Sequence, residues 1–167
     1  RKVSVSPASM MKDTLQYMAR MKKEMKLNYE VSYECTHHGP SLDVPTMFAE
    51  LGSSPEQWRD SRAAEAVAHA VVYAIQNRSK YPAAIGVGGP HYNEKFTRIA
   101  LKTSIAFGHI IPKYVAPLVD ASVVKQCVER TREKVELAIF DWKGIRAADR
   151  DRIISIVHEL GLEIERV

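Results

Sequence analysis

The sequence predicts an α/β fold, and three observations carry that expectation. Its 167 residues are 46% apolar, enough for one sizeable core, so one domain is expected. Stretches with helical spacing alternate with short apolar or alternating runs bounded by Gly, Pro and Asn, as in a sheet covered by helices. The longest apolar stretches are interrupted by charges or helix breakers, so no membrane span is expected.

In chain order, Met11, Leu15, Met18 and Met25 recur at helical spacing, predicting a helix from Ala8 or Ser9 to about Lys26. Pro7 or Ser9 would start it. Its methionines read as adaptable packing, and Lys12, Arg20, Lys22, Lys23 and Lys26 as a solvated basic face. Residues 28–35 alternate, with Tyr29, Val31, Tyr33 and Cys35 on one side and Glu30, Ser32 and Glu34 on the other, predicting a strand with one wetter face. Residues 41–52, broken by Pro45, read as strand-like or irregular.

Trp58 precedes a strong helix ending near Asn77. Its expected buried face is Ala63, Val67, Ala70, Val71, Ala74 and Ile75, widened by Val72 and Tyr73 as for a helix against a sheet. His69 on it reads as a core or crevice residue. Residues 83–87 form a brief apolar strand, and Asn93 is placed to cap a helix running through Ile99 and Leu101. Residues 103–113 read as a strand or loop ending at Pro112, with His109 buried or hydrogen-bonded. A helix from Asp120 to about Lys134, a strand over 135–140, a polar corner at 141–144, a final helix stopped by Gly161, and a short alternating end complete the pattern.

Two loops concentrate chemistry. Residues 34–40, ECTHHGP, bring a carboxylate, a thiol, a hydroxyl and two imidazoles to the end of the first predicted strand, where open α/β sheets bind ligands. Residues 86–92, GVGGPHY, follow a strand with two glycines, whose exposed amides can hold an anion or a developing oxyanion. Neither loop matches a nucleotide P-loop, a dinucleotide fingerprint or an HExxH zinc helix, and no serine sits in GxSxG. Cys35 beside His37 suggests a thiolate pair, but the strand register turns the thiol to the apolar side, so packing is expected. Water activated by an imidazole, with Glu34 orienting the ring, is the chemistry these residues suit. Cys127 belongs to a helix face. Two cysteines are too few for a disulfide scaffold and suit a reducing cytoplasm. The net charge of +4 fits an anionic partner without specifying one.

Residues 34–40, the region from Trp58 to Gln76, residues 86–92, GHIIPK at 108–113 and DWKG at 141–144 together resemble the archaeal and plant type of D-aminoacyl-tRNA deacylase, over nearly the whole chain. The resemblance implies hydrolysis of the ester joining a D-amino acid to the terminal ribose of tRNA, a translation quality-control step. It implies a mixed-sheet α/β/α fold like that of phosphorylase or peptidyl-tRNA hydrolase. Proteins of that family are longer, so residues 1–167 are expected to be a single catalytic domain or its carboxyl-terminal part, lacking an amino-terminal region; the absence of an initiator methionine fits this. Glu34, His37, His38, Gly88, Gly89 and His91 fall in the family's strongest motifs, with Thr36, Tyr92, His109, Lys113 and Lys143 as weaker choices for substrate contact. The expected mechanism has His38 or His91 positioning water, Glu34 orienting an imidazole, and the Gly88 and Gly89 amides facing the oxyanion. Lys113 and Lys143 would hold phosphates of the acceptor end. Zinc is the implied cofactor, with His38, His91 and Glu34 as its ligands. The partner is aminoacylated tRNA, and a cytoplasmic monomer is expected. Peptidyl-tRNA hydrolysis and non-enzymatic RNA binding are the alternatives, with nucleoside phosphorolysis a third by fold analogy.

Overall fold

The computed structural model describes residues 2–35, 39–77 and 79–167. Strands β1 (Ala83–Val87), β2 (Ala106–Ile111), β3 (Val135–Phe140) and β4 (Glu163–Arg166) form a sheet in the order β2-β1-β3-β4, parallel throughout. A mixed sheet was expected; among the described residues the antiparallel pairing is a single bridge, Glu34 to Tyr92, outside the sheet. Each of the first three strands is followed by a crossover helix, which returns the chain to the same end and makes the strands parallel. Val87 pairs with both Ile111 and Phe140, and Phe140 with Arg166, so the four strands end level and their following loops meet.

The sheet is buried on both faces, which is why its strands read as apolar runs. Ile85, Val87, Ala138 and Phe140 face Val124 and Cys127 of α4 (Ala121–Glu129) and Ile153 and Val157 of α5 (Ala147–Glu159). Ala84, Phe107 and Ile139 face Leu15 of α1 (Ala8–Glu24) and Phe96 and Ala100 of α3 (Glu94–Lys102). No helix among the described residues is long and apolar enough to cross a membrane.

Several local expectations give way to long-range contacts. Neither Pro7 nor Ser9 caps α1 through a side chain; instead Glu133 accepts from the amides of Ala8 and Ser9 at 2.9 and 3.0 Å. A carboxylate there also complements the positive end of the helix. Lys12, expected on the solvated face, is fully buried. Its ammonium donates to the carbonyls of Ala100 and Thr103, which the end of α3 leaves without helical partners. Burial lowers its pKa.

Helix α2 (Ser61–Asn77) packs chiefly on α1, not on the sheet. Its buried stripe is Ala63, Ala66, Ala70 and Ala74, small residues that let two helices approach closely. Val72, Tyr73 and Ile75 are exposed, and His69, expected in the core, lies on the surface 3.6 Å from Glu65. Residues 28–35 do not join the sheet, because Tyr33, Glu34 and Cys35 pair with the loop after β1. Helix α4 stops at Glu129, short of Lys134, because the backbone of Arg130 and Arg132 turns to bond Ser6.

The β2 strand crosses this junction at Gly108. A Cβ there would fall 2.1 Å from Thr131 Oγ1, and that hydroxyl is held by the Cys127 carbonyl at 2.8 Å. Gly108→Ala is therefore expected to destabilise by about 1–3 kcal/mol in urea unfolding. In a Thr131→Ala background the same change should cost less, because the Oγ1 and Cγ2 overlaps go and only the 2.9 Å approach to the Thr131 Cβ position remains; equal costs in both backgrounds would show that the overlap is not the cause.

Candidate active site

The loops after β1 and β2 and the segment before the first polar loop converge at the level strand ends. Segment 33–35 is fixed to the β1 loop by two backbone bonds, from the Cys35 amide to the His91 carbonyl and from the Asn93 amide to the Tyr33 carbonyl, both 2.9 Å. Alternation then does what the sequence suggested: Tyr33 and Cys35 turn into the interior and Glu34 turns out. Glu34 Oε1 meets His91 Nε2 at 2.7 Å, and His91 Nδ1 meets the Tyr114 hydroxyl at 2.8 Å. A carboxylate, an imidazole and a phenol thus stand in line. The Tyr92 ring packs edge-on against His91 at 5.1 Å.

Asn93 holds this arrangement from below. It is wholly buried. Its Oδ1 accepts from the Phe96 amide, capping α3 as expected, while Nδ2 donates to the Gly88 carbonyl at 3.0 Å. Gly89 has φ of +78°, and a Cβ on it would lie 2.5 Å from Asn93 Nδ2, so a side chain is excluded by conformation and by space.

The glycine amides themselves do not face a ligand. Gly88 N donates to the Ile111 carbonyl at 2.8 Å and Gly89 N to the Gly144 carbonyl at 2.9 Å. The level strand ends bring those carbonyls within reach, and buried amides are paired wherever a partner is near. This corrects the expected oxyanion role: the glycines build the loop. The second bond also closes the crevice between β1 and β3, which Lys95 reinforces from α3 by pairing with the Asp141 carboxylate.

Beside the Glu34–His91–Tyr114 line opens a cleft of about 520 Å³ along the outer side of β2. Its walls include Glu34, Tyr114 and His109, with Met11, Met18, Met47 and Phe48. Met11 and Met18 of α1 thus line the cleft, Met11 while also packing against the core as expected. His109 is half-buried, its Nε2 lies 3.3 Å from the Arg130 carbonyl, and burial lowers its pKa. Cys35 is buried, and desolvation aided by neighbouring Glu34 pushes its thiol up to about 12; burial does the same to Cys127. Neither thiol is a nucleophile near neutral pH.

Of the expected site residues, Glu34, His91 and Tyr92 are brought together. Lys113 and Lys143 are exposed at the ends of β2 and β3. Thr36, His37 and His38 lie outside the described residues. Glu34 and His91, expected with His38 to bind zinc, bond to each other rather than converging on a shared point. No three His, Cys, Asp or Glu among the described residues gather to hold a metal. The third expected ligand, His38, lies outside the described residues, so only two members of the expected set stand among them. Tyr114 was missed: a tyrosine after Pro112-Lys113 carries no motif. So was the stack of Arg150 and Arg166 on the Trp142 ring, 3.9 and 4.1 Å from its centroid, which joins residues of three elements.

These features define an α/β protein with an acid–base cluster at the carboxyl ends of a parallel sheet. Comparison with known proteins gives the family: the profile described as D-aminoacyl-tRNA deacylase matches residues 1–165. The Thermococcus kodakarensis D-aminoacyl-tRNA deacylase is 45% identical over 152 residues, 89% of this chain and 56% of that protein. The Korarchaeum cryptofilum deacylase is 43% identical over 168 residues, 99% of this chain and 60% of its own length. The crystal structure of AF0625, a conserved protein of unknown function, superposes with a TM-score of 0.92 at 31% identity, covering 99% of this chain and 58% of that one. The chain belongs to the D-aminoacyl-tRNA deacylase family, and spans between half and two thirds of the length of these relatives.

Two predictions follow from the geometry. Asn93→Ala removes a cap and leaves the buried Gly88 carbonyl without its donor, so a loss of about 2–4 kcal/mol is expected in denaturant unfolding; a loss under about 0.5 kcal/mol would mean that the loop is held otherwise. For the thiols, the folded pKa values near 12 lie above the ordinary 9.0, so the native state keeps protons that the unfolded chain releases. Their contribution to stability is complete below pH 9 and is lost as pH rises from there towards 12. At pH 8, disulfide reagents should label the native protein orders of magnitude more slowly than the protein in urea. Equal labelling rates would refute the burial argument.

Proposed function

We propose that this chain is the catalytic portion of a D-aminoacyl-tRNA deacylase, either a single α/β domain or the carboxyl-terminal part of one. It hydrolyses the ester between a D-amino acid and the terminal ribose of tRNA, in the cytoplasm and as a monomer. The observation that carries this reading is the 2.7 Å contact between Glu34 and His91 at the strand ends of a chain in this family. A carboxylate beside an imidazole orients the ring and stabilises the imidazolium formed when it takes up a proton. An α/β/α kinship with peptidyl-tRNA hydrolases and phosphorylases is in keeping with helices on both faces of the sheet.

In this mechanism water loses a proton to the imidazole system as its oxygen bonds the ester carbonyl carbon. The tetrahedral intermediate then collapses, breaking the bond to the ribose oxygen, which recovers the proton. Of the two histidines expected for this role, His91 is the proton acceptor proposed, on its contact with the Glu34 carboxylate. Thr36, His37 and His38 stay in the proposal on the family motif alone, and Tyr92 and His109 contact the aminoacyl end. Lys113, Lys143, Arg150 and Arg166 lie at the carboxyl end of the sheet and suit phosphate contacts with the acceptor end. Selectivity for D-substrates comes from one crowded wall of the cleft.

The test is single-turnover deacylation of matched D- and L-aminoacyl-tRNA, with an N-blocked D-substrate and a chelator arm. His91→Ala should lower the rate on the D-substrate by about 10²- to 10⁴-fold while tRNA affinity stays within a few-fold. Unchanged hydrolysis would remove His91 from the chemistry. Preference for the N-blocked ester would point to peptidyl-tRNA hydrolysis, and tRNA binding without any hydrolysis to an RNA-binding module.

A further inference from the structure

The line from Glu34 through His91 to Tyr114 determines which group can meet the water, granted the proposed ester hydrolysis. A carboxylate only accepts, so Glu34 Oε1 at 2.7 Å fixes the proton of a neutral His91 on Nε2. Nδ1 then carries the lone pair, and the Tyr114 hydroxyl at 2.8 Å is its donor. Both ring nitrogens are engaged, so a water can reach neither without displacing a partner. Tyr114, by contrast, is 50% exposed and forms part of the cleft wall. Its oxygen keeps lone pairs for a second partner while its proton points to the imidazole. Desolvation, with Cys35 and Glu34 nearby, raises the phenol's pKa, which keeps that proton in place near neutral pH.

We propose that Tyr114 is the catalytic residue that touches the hydrolytic water, with His91 standing behind it as the proton store. As the water oxygen bonds the ester carbonyl carbon, its proton passes to Tyr114 Oη and the phenolic proton passes to His91 Nδ1. The resulting imidazolium faces the Glu34 carboxylate. When the bond to the ribose oxygen breaks, the relay runs backwards: Nδ1 returns its proton to the phenol and the phenol gives one to the leaving oxygen. Free amino acid and the tRNA hydroxyl result, and all three side chains regain their starting states.

Tyr114→Phe keeps the ring and removes only the hydroxyl. Its single-turnover rate on D-aminoacyl-tRNA should fall about 100-fold or more, with tRNA affinity and melting temperature unchanged. Because the two groups act in series, His91→Ala combined with Tyr114→Phe should be about as slow as the slower single variant. Wild-type rates in mixed light and heavy water should curve with deuterium fraction, as two moving protons require. A Tyr114→Phe rate within about threefold of wild type, or fully multiplicative single effects, would overturn the relay. Nitrogen-15 NMR of His91 gives a readout independent of turnover: the Nε2–H tautomer held by Glu34 should persist in Tyr114→Phe, while the Nδ1 resonance, having lost its hydrogen-bond donor, should shift. If wild type cleaves no D-aminoacyl-tRNA, the ester reading fails, and an unshifted Nδ1 resonance in the variant would overturn the Tyr114 hydrogen bond as well.

Discussion

A single buried amide side chain ties the candidate site to the fold. Asn93 caps α3 with its oxygen, holds the Gly88 carbonyl with its nitrogen, and through its backbone amide bonds Tyr33. Three otherwise separate pieces are thereby joined: the helix below the site, the glycine loop after β1, and the segment carrying Glu34. The space it fills is the space that Gly89 leaves empty. Because the loop cannot shift without breaking buried hydrogen bonds, His91 is held opposite Glu34 by structure as well as by mutual attraction, and catalytic geometry needs that pre-organisation.

The level ends of the strands explain why the polar groups gather on one side. Parallel strands need crossovers, so every loop after a strand emerges at the same end of the sheet. His91 follows β1, Tyr114 follows β2, Lys143 follows β3, and Arg166 ends β4. Reversal of crossover direction between β1 and β3 ordinarily opens a ligand crevice. Here Gly89 bonded to Gly144, with Lys95 paired to Asp141, fills that position. The open space lies one strand away, above β1 and along β2, where the Glu34–His91–Tyr114 line stands. Exposed Lys113 and Lys143 stand at this same end of the sheet.

Much of this was legible in local sequence. Periodicity placed α1, α2, α4 and α5 and the strands β1, β3 and β4, because burial on one stripe or both faces writes itself into the order of apolar residues. Asn93 was recognisable as a cap, and Glu34 and Cys35 as pointing opposite ways. What failed depended on distant partners. Lys12 looked like a surface lysine because its two carbonyl acceptors lie almost ninety positions away on α3. Helix α2 looked like a sheet-facing helix because its valines mark apolarity, whereas the packing on α1 selects its alanines. The glycine amides looked available because pairing with Ile111 and Gly144 requires the strand ends to be level.

The sequence by itself determined the α/β class, the family, and the two loops in which the chemistry lies, since these rest on residue types at short spacing. Tertiary structure alone decided the line from Glu34 to His91 to Tyr114. Those residues stand in three separate segments, and a hydrogen bond forms only where folding brings donor and acceptor to within about 3 Å with the right alignment.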